Sequence, residues 1–283
     1  MNTIKLNNNI EIPQIGLGVF QITDNKVCEQ SVLDALSIGY RLIDTAACYG
    51  NERAIGTAIK KSGIEREKIF ITSKVWIQDA GYEKTKISFE RTLENLQTDY
   101  LDMYLIHMPF GDYYGSWRIM EELYESGKIR AIGVCNFLPD RLVDLILNNK
   151  IVPAINQIEL HPFCQQKELR NVMNDYNIRS MAWAPFAEGM NGIFKNKILF
   201  DIGQKYGKTP AQIILRWFRQ NGIIAIPKSV HKERIEENFS IDDFELTLED
   251  IAKIDRMDTG KSQILEIKSL KEVNRLYNIH FIQ

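Results

Sequence analysis

This chain has few of the features that mark specialised protein classes. Its four cysteines (Cys28, Cys48, Cys135 and Cys164) are scattered through 283 residues. There is no C-x-x-C pair and no zinc-ligand spacing, so free thiols in a reducing compartment are expected instead of a disulfide framework. Net charge is only -2, which removes the general electrostatic attraction used by nucleic-acid and anionic-lipid binders. Any anion must therefore be gripped locally. No window approaches the roughly 18 unbroken apolar residues of a membrane span. Residues 1–7 carry neither an apolar core nor a cleavage pattern, so no secretory signal is read and a cytoplasmic location is expected. No Pro-, Gly- or Ser-rich linker interrupts the chain.

What is present is an ordinary globular composition, 45% hydrophobic and 25% charged, with a regular rhythm. Residues 3–12 alternate polar and apolar around Asn7-Asn8-Asn9, a short hairpin pattern. Apolar strand-like runs follow at 15–19, 40–44, 69–74, 101–107, 129–134, 154–159, 178–183 and 222–226. Amphipathic stretches lie near 26–38, 51–62, 82–97, 115–126, 139–148, 166–176 and 197–220, the last broken at Gly207-Lys208-Thr209-Pro210. There Thr209 can cap a helix and Pro210 suits its first turn. Further helical pattern starts near 231 and runs again from 247 to 257. This alternation predicts one α/β domain over 1–283: a (β/α)8 TIM barrel with an N-terminal β-hairpin and a C-terminal tail. The rival, a doubly wound sheet, carries G-x-G-x-x-G after its first strand. Here Gly16-Leu17-Gly18 is followed by Val19-Phe20-Gln21, so the third glycine is missing. The tail, 261–283, is lysine-rich and then apolar (Leu276, Tyr277, Ile279, Phe281, Ile282); it is open whether it covers the barrel mouth or lies along the surface.

The stretch R-L-I-D-T-A-A-C-Y-G-N-E, residues 41–52, ends an apolar run in Asp44 and places Tyr49 just before a new helix. Lys74 closes I-F-I-T-S-K and His107 closes D-M-Y-L-I-H. All fall at or just past the carboxyl ends of successive strands, the active-site face of a barrel. Singly, each has a plain reading: a packing tyrosine, a snorkelling lysine, a core histidine, a capping aspartate. Together they make a proton-donating tyrosine. A free phenol has a pKa of about 10, a nearby ammonium lowers it, and a carboxylate holds that ammonium charged and in place. A histidine on the next strand can orient a carbonyl. Such an acid protonates an oxygen that is gaining charge, which is what carbonyl reduction requires beside a hydride source.

These segments, with L-D-M-Y-L-I-H-M-P, resemble the aldo-keto reductase superfamily over about residues 10–245. The resemblance implies a catalytic set of Asp44, Tyr49, Lys74 and His107 with Tyr49 as general acid. It also implies NADPH bound in extended form across the barrel mouth. Independently, I-P-K-S-V-H-K-E-R-I-E-E-N follows the eighth strand, where barrels often hold phosphate. Lys228, Ser229 and Arg234 offer two cations and a hydroxyl there, although a solvated basic turn opening a helix is the plain alternative. In the family this segment takes the adenosine 2′-phosphate, with Glu237 and Asn238 on adenine, which favours NADP(H) over NAD(H). By the same resemblance Asn136 and Gln157 bind the carboxamide and Trp183 stacks on the nicotinamide. Gly18, Val19, Ala184, Phe186 and Val230 add cofactor contacts, with Asp44 shared. Cys135 and Ala184 stand where the family commonly has serine, and Met108 where it often has tryptophan. With Phe20 and Trp76 beside His107, Met108 predicts an apolar, adaptable substrate pocket.

Two rival chemistries have weaker support in the sequence. Glu159-Leu160-His161 suggests a metallohydrolase pair, but such sites gather several histidines and carboxylates and the chain has only four histidines. Lys74 as a Schiff-base lysine is opposed by Asp44, which would keep it protonated. The expectation is a monomeric enzyme acting on a small carbonyl substrate, without metal, nucleic acid or membrane. The alternative from another class is a nucleotide-sensing binding protein built on the same fold. The complete catalytic set and the want of a long N-terminal extension favour the enzyme.

Overall fold

The turn at Asn7-Asn8-Asn9 folds the start of the chain into an antiparallel hairpin of β1 (Thr3–Lys5) and β2 (Glu11–Pro13). Asn9 supplies the left-handed residue, φ 69°, a conformation asparagine tolerates because its side chain bonds locally. The computed structural model describes residues 2–281. Met1, Ile282 and Gln283 lie outside the described residues, so the expectation for Ile282 in the tail goes with them.

After the hairpin, strands and helices alternate. β3 (Leu17–Gly18), α1 (Asn25–Ile38), β4 (Leu42–Asp44) and α2 (Glu52–Ser62) open the series. β5 (Phe70–Val75), α3 (Tyr82–Leu96), β6 (Leu101–Ile106), α4 (Tyr113–Glu125) and β7 (Ile129–Cys135) follow. α5 (Pro139–Leu147), β8 (Ile155–Glu159), α6 (Lys167–Asp175) and β9 (Arg179–Trp183) continue it. Last come α7 (Lys197–Tyr206), α8 (Pro210–Gln220), β10 (Ile224–Ala225), α9 (Lys232–Phe239), α10 (Leu248–Asp255) and α11 (Leu270–Tyr277). The eight strands from β3 to β10 form one parallel sheet in chain order. An Ile15–Ala225 bridge closes it on itself. The first and last strands are shorter than the expected 15–19 and 222–226. Their contact is one bridge with flanking bonds, and Pro227, lacking an N–H, adds only an acceptor, its carbonyl taking the Gly18 N–H at 3.1 Å.

Alternation along each strand sorts the side chains into two cores. Leu42, Phe70, Met103, Leu105, Ile155, Met181 and Ile224 fill the barrel, and Leu6 and Ile12 from the hairpin pack on the same cluster. The opposite faces meet the helices in a larger outer core that includes Trp117, Trp217 and Phe218. The break expected inside 197–220 is present. α7 ends at left-handed Gly207, and Thr209 with Gln212 forms a capping box for α8, with Pro210 in its first turn. The tail folds over the mouth: Trp76 Nε1 donates to the Ile279 carbonyl at 3.1 Å and Leu276 is buried against Trp76 and Met108. Among the described residues no helix is long and apolar enough to cross a membrane.

Candidate active site

Register explains why residues far apart in sequence meet. Asp44 pairs with Thr72 and Lys74 with Leu105. Lys74 is therefore two residues beyond the partner of Asp44, and His107 two beyond the partner of Lys74. A shift of two keeps a side chain on the same face, so all three point into the barrel, each nearer its carboxyl end. Cys135, Gln157 and Trp183 follow by the same parity on the next strands. Tyr49 comes from a short 3-10 turn, Ala47–Tyr49, after β4. Asn51 ties that loop to the strand beside it, donating to the carbonyls of Val19 (3.0 Å) and Ile22 (3.3 Å) while accepting from Thr45 Oγ1 (2.9 Å).

Beneath the cavity floor, Lys74 Nζ donates to Asp44 Oδ2 at 2.6 Å and to the Thr45 carbonyl at 2.7 Å. Gln157 Nε2 reaches the other carboxylate oxygen of Asp44 at 2.8 Å. Lys74 is completely buried. Breaking such a pair leaves an uncompensated charge, a cost of about 3–5 kcal/mol, so the two are one unit. The ammonium lies 5.2 Å from the centroid of the Tyr49 ring, and among the described residues no hydrogen bond joins the two side chains. Lys74 thus acts on Tyr49 through its field.

This corrects one expectation. The phenol was expected to be acidified by Lys74. Instead burial pushes its pKa well above the ordinary value, with the neighbouring Cys48 and Asp44 adding to the rise. The physical reason is that Asp44 absorbs the lysine's charge at contact distance while burial disfavours the charged phenolate. Burial likewise raises the Asp44 carboxyl, against the pull of Lys74 and Gln157. His107 is driven far below its usual value, by burial first and the Lys74 charge second, so it is neutral. Its Nδ1 lies 3.4 Å from Cys48 Sγ. Burial holds that thiol up at about 12. With the thiol as donor, Nδ1 accepts and Nε2 carries the proton.

Tyr49, His107 and Asp44 line a cavity of about 1090 Å³ that runs along the mouth to Lys228, Ser229, Val230, Arg234, Glu237 and Asn238. Gly18, Asn136, Gln157, Trp183, Ala184 and Phe186 lie along it, as do Phe20, Trp76 and Met108 at the tyrosine end. Two expected site residues do not line it. Lys74 lies below the floor, and Val19 turns its side chain into the outer core and meets the site through its backbone, its N–H donating to the Asp44 carbonyl at 3.2 Å and its own carbonyl accepting from Asn51. Gly18 is required for closure, since a Cβ there would stand 2.7 Å from the Ile226 carbonyl. Trp183 Nε1 donates to Asn136 Oδ1 at 2.9 Å, which fixes its ring at the wall. Asn136 and Ala184 are left-handed (φ 62° and 47°), a backbone cost of about 1–3 kcal/mol each that gathers at functional sites. Arg234 and Lys228 are exposed, and among the described residues neither has a carboxylate partner. Two unpaired cations at the end of a long trough suit a phosphorylated dinucleotide. Sequence reasoning missed Cys48, although it adjoins Tyr49. It left open whether the tail covers the mouth, where Leu265, Leu276, Ile279 and Phe281 form one wall of the cavity. Their apolar character was visible, but not their docking. Among the described residues no cluster of metal-ligating side chains is present.

A closed parallel barrel whose carboxyl rim unites a neutral imidazole, a phenol and a buried ion pair defines a class of oxidoreductase scaffold. The chain belongs to the aldo/keto reductase family: the model described as Aldo/keto reductase family matches residues 14–259. Glyoxal reductase of Bacillus subtilis (strain 168) is 49% identical over 257 residues, spanning 90% of this chain and 92% of its own. Methylglyoxal reductase of Escherichia coli (strain K12) is 42% identical, spanning 91% and 94%. Among solved structures, a Bombyx mori aldo-keto reductase in complex with NADP superimposes with a TM-score of 0.89 at 32% identity, covering 96% of this chain and 97% of its own.

Proposed function

We propose that this chain is an NADPH-dependent reductase of aldehydes and ketones, of the NADP+ alcohol dehydrogenase type, with small 1,2-dicarbonyls such as glyoxal and methylglyoxal among its substrates. The observation that carries this reading is the joint facing of Tyr49 and His107 into one trough above the Lys74–Asp44 pair. The trough's far end offers Lys228 and Arg234. When bound, NADPH supplies the hydride. In this reading Asn136 and Gln157 hold the carboxamide, Trp183 supports the nicotinamide face, and Lys228, Ser229 and Arg234 take the 2′-phosphate, which favours NADP(H).

The chain's own residues do the rest. Neutral His107 donates from Nε2 to the carbonyl oxygen and orients it. Tyr49 Oη gives its proton to that same oxygen as charge develops there. Even a raised phenol pKa suffices, because the incipient alkoxide is about as basic as hydroxide, whose parent water has a pKa of 15.7 or so. The tyrosinate left behind sits in the field of Lys74, which Asp44 anchors. Phe20, Trp76 and Met108 exclude water. The enzyme is read as one domain, monomeric and cytoplasmic, consistent with four buried free thiols.

Tyr49→Phe tests this better than a change at Lys74 or Asp44, since those would strand a buried charge. Oxidation of NADPH by glyoxal, methylglyoxal and a panel of larger aldehydes should fall by about 10²–10⁴-fold, with NADPH binding retained. If the wild type binds NADPH but turns over no carbonyl, the chain is a nucleotide-sensing binding protein.

A further inference from the structure

The Glu159-Leu160-His161 motif is unused by the catalytic reading, yet Glu159 is among the most heavily bonded carboxylates in the molecule. It continues the inward face of β8 two residues beyond Gln157, opposite Trp183 in the sheet register. Its side chain is 3% exposed. Oε1 accepts from His161 Nε2 at 3.1 Å and from the Gln263 backbone N–H at 2.7 Å. Oε2 accepts from Ser262 Oγ at 2.6 Å and from the Leu265 N–H at 3.3 Å. Burial works to raise this carboxyl, but the bonds from His161, Ser262 and Gln263 outweigh it and hold it below the ordinary range. Among the described residues no group of metal-ligating side chains is found there, and the carboxylate oxygens already accept from His161 and the tail.

We propose that Glu159, oriented by His161, is a positioning residue for substrate choice: it pins residues 262–265 to the barrel rim so that Leu265 and Leu276 close the apolar wall of the cavity. Leu265 packs, as Tyr49 does, against the cluster of Leu276, Trp76, Met108 and Phe110, so it stands at the tyrosine end of the cavity. Further along the tail, Tyr277 at the end of α11 accepts from the Gly111 N–H at 2.9 Å, and beyond the helix Trp76 bonds to Ile279 and Gln78 to Phe281. On the approach to that helix Glu159 takes three bonds from residues 262–265, beside one from Asn191 Nδ2 to Gln263 Oε1 at 3.0 Å and one from Thr259 Oγ1 to the Phe163 carbonyl at 2.8 Å. A carboxylate is needed there because it faces donors at both oxygens; a glutamine would turn an NH2 toward at least one of them. The wall selects carbonyl compounds bearing a bulky apolar substituent. A two-carbon substrate, too small to reach it, is indifferent.

This rests on the proposed reductase activity, and the test separates the two. Wild type, Glu159→Gln and the milder Ser262→Ala are compared with glyoxal and with phenylglyoxal, and hydrogen exchange is followed over 262–281 in the free protein. Both variants should speed exchange in that segment. Loss of an apolar contact of this size should raise KM for phenylglyoxal about 10-fold, with its kcat and the kcat/KM for glyoxal unchanged. Unchanged exchange in both variants overturns the proposal. So does faster exchange with equal losses on both substrates, or with no change in KM for phenylglyoxal. If the wild type reduces neither compound the reductase reading fails, while exchange still judges whether Glu159 holds the tail.

Discussion

At the scale of single residues, burial governs the site more than charge does. Tyr49 and His107 are displaced in opposite directions by the same cause, because desolvation favours whichever form is neutral. A neutral imidazole and a protonated phenol are both the forms that donate a hydrogen bond to a carbonyl oxygen. The sign for reduction follows. Tyr49 must hold its proton to give it, and its pKa is raised, so activity is lost only as pH climbs above the ordinary phenol value of about 10. His107 is already neutral, so nothing titrates near its usual 6.5 or so. The pH profile of kcat/KM for aldehyde reduction should therefore be level through neutrality and fall only in strong alkali. An inflection near the usual histidine value would mean that His107 is charged in the free enzyme. The position of Asp44, Tyr49, Lys74 and His107 was legible in the sequence because strand period and element order fix it. The balance between Lys74 and the phenol was not, since it depends on a 2.6 Å contact with Asp44 that spacing cannot measure.

At the scale of elements, caps were the readable part and docking the unreadable part. Thr209 and Pro210 announce α8 because capping chemistry is local. The eight-residue α11 (Leu270–Tyr277) carries an apolar stripe that would suit many grooves, and only the folded barrel offers Trp76, Met108 and Phe110 together. One inter-helix tie gives a test. Asp250, in the first turn of α10, accepts from Lys205 Nζ at 2.7 Å and Tyr206 Oη at 2.6 Å on α7, and from the Thr247 cap at 2.8 Å. Burial opposes ionisation, but these three bonds win and pull the carboxyl down to about 2 from an ordinary 3.8. A depressed folded pKa stabilises the protein above the unfolded value, and that contribution disappears as pH falls through the folded one. Asp250→Asn should therefore lower the melting temperature at neutral pH, and its gap from wild type should close between about pH 4 and pH 2. A gap independent of pH would mean that packing, not charge, is what the aspartate supplies.

At the scale of the whole molecule, net charge and site charge point in different directions. The chain carries -2 overall, so no long-range field draws a dinucleotide phosphate toward it, and the trough must rely on Lys228 and Arg234 at contact distance. Both are exposed at the end of the cavity away from Tyr49, which makes their contribution local and sensitive to salt. Hydrogen bonds to charged groups contribute about 1.5–3 kcal/mol, so Arg234→Ala should weaken NADPH binding by about 10- to 100-fold. NADH lacks the 2′-phosphate and should be almost unaffected. Calorimetric titration with each nucleotide reads the difference directly, and raising ionic strength should narrow the wild-type preference toward that of the variant. Among the described residues Arg234 is bonded to none of Asp44, Tyr49, Lys74 and His107, so kcat at saturating NADPH should hold. Equal weakening of both nucleotides would place Arg234 against the shared pyrophosphate, and the preference for NADP(H) would then have to come from elsewhere in the mouth.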